Sequence, residues 1–181
     1  MTNHSILYKK ESIEFVAVAK EYLVLLENAK EFQKNDFITN SLKMLSLLYH
    51  KVLFVAKIEH CDSNNDCDNA FIEKFVNEVH WSYFQNVISE ILDEDDVFVQ
   101  LQDNNIISDS DYMNVPLSEL YADLYQEMGD LIGAYKTENE ELMIAALNEC
   151  HENFYSYWGI RTLILLQNLN NLNTKLLSDE V

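Results

Sequence analysis

Glycine and proline are almost absent from this chain, which has three Gly and one Pro among 181 residues. Gly-rich phosphate loops and dinucleotide-binding fingerprints need glycines at fixed spacing, and turn-dense β-sandwiches and barrels need many Gly and Pro turns. The sequence therefore excludes those sites and folds and favours helices joined by polar loops. Because 48% of the residues are apolar, the chain also has enough material for a packed core.

Apolar residues recur at helical spacing along most of the chain. In the stretch from about 12 to 32 they follow at steps of three and four residues and form one stripe of an α-helix. These residues are Phe15, Val18, Ala19, Tyr22, Leu25, Leu26 and Ala29. Further stripes predict helices that start near Asn35 or Asp36, Phe71, Ser118 and Thr137. We expect an all-α fold, a single-domain bundle of five or six mostly antiparallel amphipathic helices over residues 1–181.

Three places interrupt the helical pattern. Residues 93–117 have no clear period, and we expect an irregular acidic connection there. Gly159 lies inside the last apolar stripe and is expected to kink or split that helix. The Asn-rich end of the chain, about 170–181, is expected to fray.

The charge of the chain is strongly negative and unevenly distributed. Twelve Lys and Arg stand against 31 Asp and Glu, a formal net charge of −19. Residues 75–135 contain 13 of these acidic residues and no Lys or Arg. Such a chain repels nucleic-acid phosphates and anionic membranes, so we expect neither as a partner. A protein partner with a basic surface is the expected alternative.

Six carboxylates in the acidic region are the predicted interaction residues. They are Asp93, Glu94, Asp95, Asp96, Asp109 and Asp111. We expect them on the irregular connection, where side chains reach solvent.

The expected location is the cytoplasm. The N-terminus has no secretory signal pattern, and no apolar run approaches the ~18 residues that cross a bilayer. Cys61, Cys67 and Cys150 make an odd number of cysteines without a redox or zinc spacing, which is typical of free thiols in a reducing compartment.

Three stretches carry a resemblance to a known family. They are FVAVAKEY at 15–22, LYADLYQE at 120–127 and ECHENFYSYWG at 149–159. On these residues the chain resembles an uncharacterised bacterial domain-of-unknown-function family of small, acidic, all-helical proteins. The resemblance implies a bacterial, all-helical, single-domain protein. It implies no activity, cofactor or catalytic residue.

One polar loop partly matches a calcium-binding loop. Asp62, Asn64, Asp66 and Glu73 occupy ligand positions one, three, five and twelve. Cys67 stands at position six, where the chain turns sharply and a glycine is needed. We therefore expect a solvated loop and assign no metal site, although these four residues are the metal candidates.

Two acidic pairs with i, i+3 spacing suggest a rival site. Glu127 with Asp130, and Glu149 with Glu152, lie on successive predicted helices. Their layout is similar to that of all-helical nucleotide pyrophosphohydrolases, in which facing carboxylates hold magnesium. Helical angles place Asp123 and Asp130 opposite the apolar stripe, where carboxylates normally face water. Solvent exposure is therefore the expectation for these acidic residues.

Arg161 is the only arginine and shares a helix face with apolar residues. A guanidinium there needs a carboxylate or aromatic partner, since an unpaired buried charge is costly. Glu149, or an acidic residue of another helix, is the expected partner, with Trp158 and Tyr157 nearby. A pocket for an anionic ligand is the alternative.

The sequence contains no convincing catalytic set, and we predict no cofactor. Cys150 and His151 are adjacent, but neighbours on a helix point about 100° apart and do not form a nucleophile and base. The leading hypothesis is a non-enzymatic acidic module that binds a protein partner, of the inhibitor, immunity or adaptor type. The alternative is a divalent-metal-binding domain or metal-dependent hydrolase that uses the acidic helix pairs. A homo-oligomeric scaffold is a third hypothesis.

Overall fold

The computed structural model describes residues 4–56, 74–102 and 112–179, and these residues are almost entirely helical. The α-helices are α1 (His4–Leu7), α2 (Lys10–Glu27), α3 (Lys34–Val52), α4 (Glu78–Leu92), α5 (Leu117–Lys136), α6 (Glu140–Asn153) and α7 (Gly159–Asp179). Two strands, β1 (Phe98–Gln102) and β2 (Tyr112–Pro116), lie between α4 and α5. The all-α class expected from the helical periodicity is confirmed.

Helix α5 lies at the centre of the fold. It packs against α2, α4, α6 and α7, and α3 packs against α2 and α7. Buried apolar side chains from α1 to α7 and from β2 form one continuous cluster. Twelve of the twenty residues of α5 are buried, and they include the polar Ser118 and Asp130. A helix covered on so many sides must pair its polar groups within the protein.

The expected irregular connection over 93–117 is wrong where the structure has the two strands, at 98–102 and 112–116. A 3₁₀ turn (Asp93–Asp95) leads into β1, which pairs antiparallel with β2 in the register Phe98↔Pro116 to Gln102↔Tyr112. Val115 is buried, and Val99 opposite it packs against the core. The strands are short, and among their described side chains the pair Val99 and Val115 contacts the core, so their period-2 signal in the sequence is weak.

Of the residues expected to fray, about 170–181, those up to Asp179 are described, and they continue α7. Leu165 and Leu169 are buried, and Leu172 and Leu176 pack on the core at the same helical spacing. The polar residues of this end bond to the helix or to its neighbour. The Thr174 hydroxyl donates to the carbonyl of Asn170 over 2.8 Å, and Thr39 of α3 lies 3.3 Å from the Asn173 side chain.

The interruption expected at Gly159 is a π-helical turn, Phe154–Trp158, that joins α6 to α7. A Cβ at position 159 would collide with the carbonyl oxygen of Phe154, so glycine is needed there. The Trp158 indole N–H donates to the carbonyl of Cys150 over 2.8 Å, within the core. The π turn therefore positions the side chains that α6 and α7 direct toward α5.

The two glycines of α5 let the segment before α4 approach the helix. A Cβ on Gly129 would collide with the side chain of Val76, and a Cβ on Gly133 would lie 2.6 Å from the Cβ of Phe75 and still closer to its ring. Residues 75 and 76 thus rest directly on the α5 backbone. This contact explains why poor helix formers occupy positions 129 and 133 of a buried helix.

We predict that Gly133→Ala destabilises the protein by about 1–2 kcal/mol, because the clash with Phe75 outweighs the gain in helix propensity of about 1 kcal/mol. Urea denaturation measures the change. Gln126→Ala on the same helix is the control and should change stability by less than about 0.5 kcal/mol. A Gly133→Ala variant more stable than wild type would contradict the close approach.

Candidate functional site

Four carboxylates form a line along one side of α5. Glu119, Asp123, Glu127 and Asp130 are spaced four, four and three residues apart, which places them within one sector of the helix. The expectation that Asp123 and Asp130 face water is wrong, since their side chains are 12% and 9% exposed. The segment before α4 lies over one flank of this line, and α6 and α7 lie over the other. We call these four residues the α5 acid line.

Arg161 of α7 pairs with Asp123 at the N-terminal half of the acid line. Its Nε lies 3.0 Å from Asp123 Oδ2, and the Trp81 indole N–H donates to Asp123 Oδ1 over 3.1 Å. The guanidinium also stacks on the Tyr157 ring, 3.6 Å from its centroid, and donates to the Tyr157 carbonyl over 3.2 Å. The ion pair expected for Arg161 therefore exists, with an acidic residue of another helix as partner.

Glu149 does not pair with Arg161 but with Lys74. The Lys74 Nζ lies 3.1 Å from Glu149 Oε1 and 3.4 Å from Asp130 Oδ2, and so bridges α6 and α5. Burial alone would lower the pKa of Lys74, but the two carboxylates outweigh burial and raise it. Trp158, expected near the arginine, lies fully buried in the core against Phe154.

Asp130 also binds the backbone of the segment before α4. The N–H groups of Phe75 and Val76 both donate to Asp130 Oδ1, over 2.7 and 2.9 Å. These residues lie outside any helix, so the carboxylate replaces the hydrogen bonds that a helix would supply. Asp130 therefore fixes the approach of this segment to Gly129 and Gly133.

A neutral amide of α6 holds Glu127 of the acid line. The Asn153 amide donates to both of its oxygens, over 3.0 and 3.3 Å. Burial raises the pKa of the Glu127 carboxyl above its ordinary value, and the Asn153 amide and the Lys74 charge offset only part of that effect. Burial also holds the pKa of the nearby Cys150 thiol well above its ordinary value. Cys150 is thus a neutral core residue, not an activated nucleophile.

The rival metal site is only partly assembled. Glu127, Asp130 and Glu149 line one small cleft with Lys74, whereas Glu152 is exposed. The space between them is about 10 Å³, room for about one water molecule. In the described ranges no group of three or more His, Cys, Asp or Glu is arranged to hold a metal ion. Lys74 supplies positive charge beside these carboxylates.

The predicted interaction residues divide into two kinds. Asp95 pairs with Lys34 of α3 at 2.6 Å, and Asp96 accepts from the backbone N–H and the hydroxyl of Ser118, over 2.8 and 2.7 Å. These two acidic residues hold the base of the hairpin and the start of α5. Asp93 and Glu94 are exposed. The other predicted carboxylates, Asp109 and Asp111, and the loop candidates Asp62, Asn64, Asp66 and Glu73 lie outside the described residues.

Exposed apolar side chains accompany Asp93 and Glu94. Val97, Phe98 and Met113 are 42%, 70% and 62% exposed, all on or beside the two strands. We call Asp93, Glu94, Val97, Phe98 and Met113 the hairpin surface. It combines negative charge with apolar area on both faces of the strand pair, since Met113 shares the face of Val99 and Val115 and Phe98 lies on the other face.

Sequence reasoning missed the roles of Asp123, Lys74 and Trp81. The 4-4-3 spacing of the acid line was a signal for Asp123, since four acidic residues on one side of a helix imply a common environment. The glycines at 129 and 133 signalled a close approach next to that side. Helical periodicity does not predict which cation pairs with which acidic residue, because that pairing depends on how distant segments pack.

We predict that Asp123→Asn lowers the free energy of unfolding by about 2 kcal/mol, because Arg161 is left largely buried without its carboxylate. Chemical denaturation at pH 7 measures the loss. The matched substitution Glu149→Gln should cost about 0.5 kcal/mol or less, because Lys74 is half exposed. Equal losses in the two variants would contradict the assignment of Asp123 as the main partner.

In contrast to Asp123→Asn, we predict that Glu127→Gln raises the free energy of unfolding at pH 7. Because burial raises the pKa of Glu127 in the folded state, its ionisation destabilises the fold above the ordinary glutamate range and not below it. The Gln variant should therefore be more stable than wild type at pH 7, and the difference should shrink as the pH falls toward 4. Denaturation curves over that range test this, and a difference that does not change with pH would refute it.

Comparison with known proteins identifies the family. A model of a domain of unknown function (DUF5063) matches residues 6–175. The crystal structure of protein BF1032 from Bacteroides fragilis, a structural genomics target, is similar with a TM-score of 0.76 and 28% sequence identity over 92% of this chain and 94% of that chain. No curated protein matches the chain. The resemblance to a family of unknown function is therefore confirmed, and the chain belongs to the DUF5063 family.

Proposed function

We propose that this protein is a non-enzymatic interaction module that binds a protein partner through a basic surface of that partner. The observation that carries the proposal is the hairpin surface, where the exposed Asp93 and Glu94 adjoin the exposed Phe98. It lies within residues 75–135, which contain no Lys or Arg. Proteins of the inhibitor, immunity or adaptor type use such surfaces.

The two components of the hairpin surface have separate physical roles. Negative charge attracts a cationic partner and raises the association rate, and high salt weakens that attraction. Exposed aromatic and aliphatic side chains bury area on contact and hold the complex together. Phe98 is the natural anchor, since it is the most exposed apolar side chain of the hairpin surface.

The acid line supports a non-enzymatic role. Asp123 and Asp130 are already engaged by Arg161, Trp81, Lys74 and two backbone N–H groups. A general acid or base needs a carboxylate that reaches a substrate. These carboxylates instead join helices to one another, which is a structural task.

A divalent-metal function is the second candidate, favoured by the convergence of Glu127, Asp130 and Glu149 on one cleft. A metal there would have to displace Lys74. Calorimetry with magnesium, manganese and calcium separates the candidates. Heat at millimolar ion that disappears in Glu127→Gln would support metal binding, and its absence would remove this candidate.

The proposal includes a cytoplasmic location, so the natural assay is capture from a reduced lysate of the source cells. We predict that the immobilised protein retains partners more basic than the lysate average, and that raising salt from 50 to 300 mM releases them. Quantitative mass spectrometry measures both. Glu94→Lys should lower retention about tenfold, because it reverses an exposed charge of the hairpin surface.

Glu21→Lys is the matched control. It makes the same charge change at an exposed position of α2, far along the chain from the hairpin surface, and should retain the partners as wild type does. Three results would each count against the proposal. They are retained proteins no more basic than the lysate average, retention that does not fall as the salt is raised, and an equal loss of retention in the two variants.

A further inference from the structure

We propose that the outer edge of β1 accepts an extended basic segment of the partner as a third strand of the sheet. The inference rests on the proposed function and names the part of the surface that does the binding. In the described part of the chain the sheet has two strands, so one edge of each strand has no neighbouring strand. The backbone N–H and C=O groups of such an edge can pair with an added strand.

The two edges differ, and among the described residues β1 has the open one. Strand β2 packs on α5 and runs directly into it at Pro116, which has no N–H to donate. Natural proteins protect open edges with Lys, Pro or a bulge. β1 has the sequence FVQLQ and pairs with β2 one to one, so it carries none of these protections.

The side chains around β1 specify the chemistry of the incoming segment. Val99 faces the core, so Phe98 and Gln100 lie on the opposite, exposed side of the sheet. An added strand would place an apolar side chain beside Phe98. Its basic side chains would lie near Asp93 and Glu94, which precede the strand. A segment with an apolar side chain beside Phe98 and basic residues at its ends fits both requirements.

Charge argues against a second copy of this chain as the occupant. Each copy carries a formal charge of −19, so two copies repel one another. An added third strand has a further physical benefit, because a two-stranded sheet is only marginally stable by itself. The occupant is therefore a foreign basic strand.

The test uses the full chain and a synthetic heptapeptide that has two Lys at each end, Val-Thr-Val between them and blocked termini. The control is the same peptide N-methylated at every backbone nitrogen, which keeps every ammonium group but has no backbone N–H. We expect the unmodified peptide to bind about tenfold more tightly, because backbone hydrogen bonds are lost in the control. Hydrogen exchange at the β1 amides should slow when it binds.

A pair of variants locates the contact. Phe98→Lys puts a protective charge on the edge and removes the anchor, and it should weaken peptide binding about tenfold. Phe54→Lys makes the same change at a phenylalanine that is 58% exposed near the end of α3, and it should bind as wild type does. Thermal melts of both variants show whether each is folded.

The outcomes separate this inference from the function on which it rests. If both peptides bind equally and β1 exchange is unchanged, edge pairing is overturned while basic-partner binding stands. If neither peptide binds at low salt, the proposed function itself fails. If β1 becomes protected as the protein dimerises in sedimentation runs, a second copy is the occupant and the inference is overturned.

Discussion

The structure depends on pairing the acidic residues of a central helix. Helix α5 is covered by α2, α4, α6 and α7, yet it carries four carboxylates along one side. A buried carboxylate without a partner is costly, and removing the partner of a buried charge costs several kcal/mol. Each contact made by Asp123 and Asp130 therefore also fixes the position of another segment. Arg161 fixes α7, Trp81 fixes α4, and the N–H groups of Phe75 and Val76 fix the segment that leads into α4.

The same region uses other acidic residues to support its exposed end. Asp96 binds the N–H and hydroxyl of Ser118, and Asp95 pairs with Lys34, so the base of the hairpin is tied to α5 and α3. Asp93 and Glu94 remain at the surface beside Phe98. The negative charge of residues 75–135 thus has two parts. One part holds segments of the fold together, and the other, at Asp93 and Glu94, is exposed to solvent.

Sequence reasoning predicted the helices where one apolar face determines which residues are buried. Stripes such as Phe15, Tyr22 and Leu26 bury against neighbours whatever their detailed order, so helical periodicity was enough to predict the bundle. It failed where burial depends on contacts between segments that are distant in the sequence. Asp123 lies opposite the main apolar stripe of α5, but α4 and α7 cover that side as well. The hairpin was not predicted for another reason: among its described side chains, Val99 and Val115 are the ones that contact the core, which leaves a weak strand pattern. Fraying was expected at the Asn-rich end of α7 because local helix propensity does not include the packing of Leu172 and Leu176 on the core.

The central claim is that the carboxylates of α5 serve the fold. Its most direct test is amide hydrogen exchange at Phe75 and Val76, measured by NMR in wild type and in Asp130→Ala. These two N–H groups lie outside any helix and donate only to Asp130 in the described structure. We predict strong protection in wild type that is lost in Asp130→Ala, while the α5 amides stay protected. Exchange at the rate of an unstructured peptide in wild type, or unchanged protection in Asp130→Ala, would contradict the account.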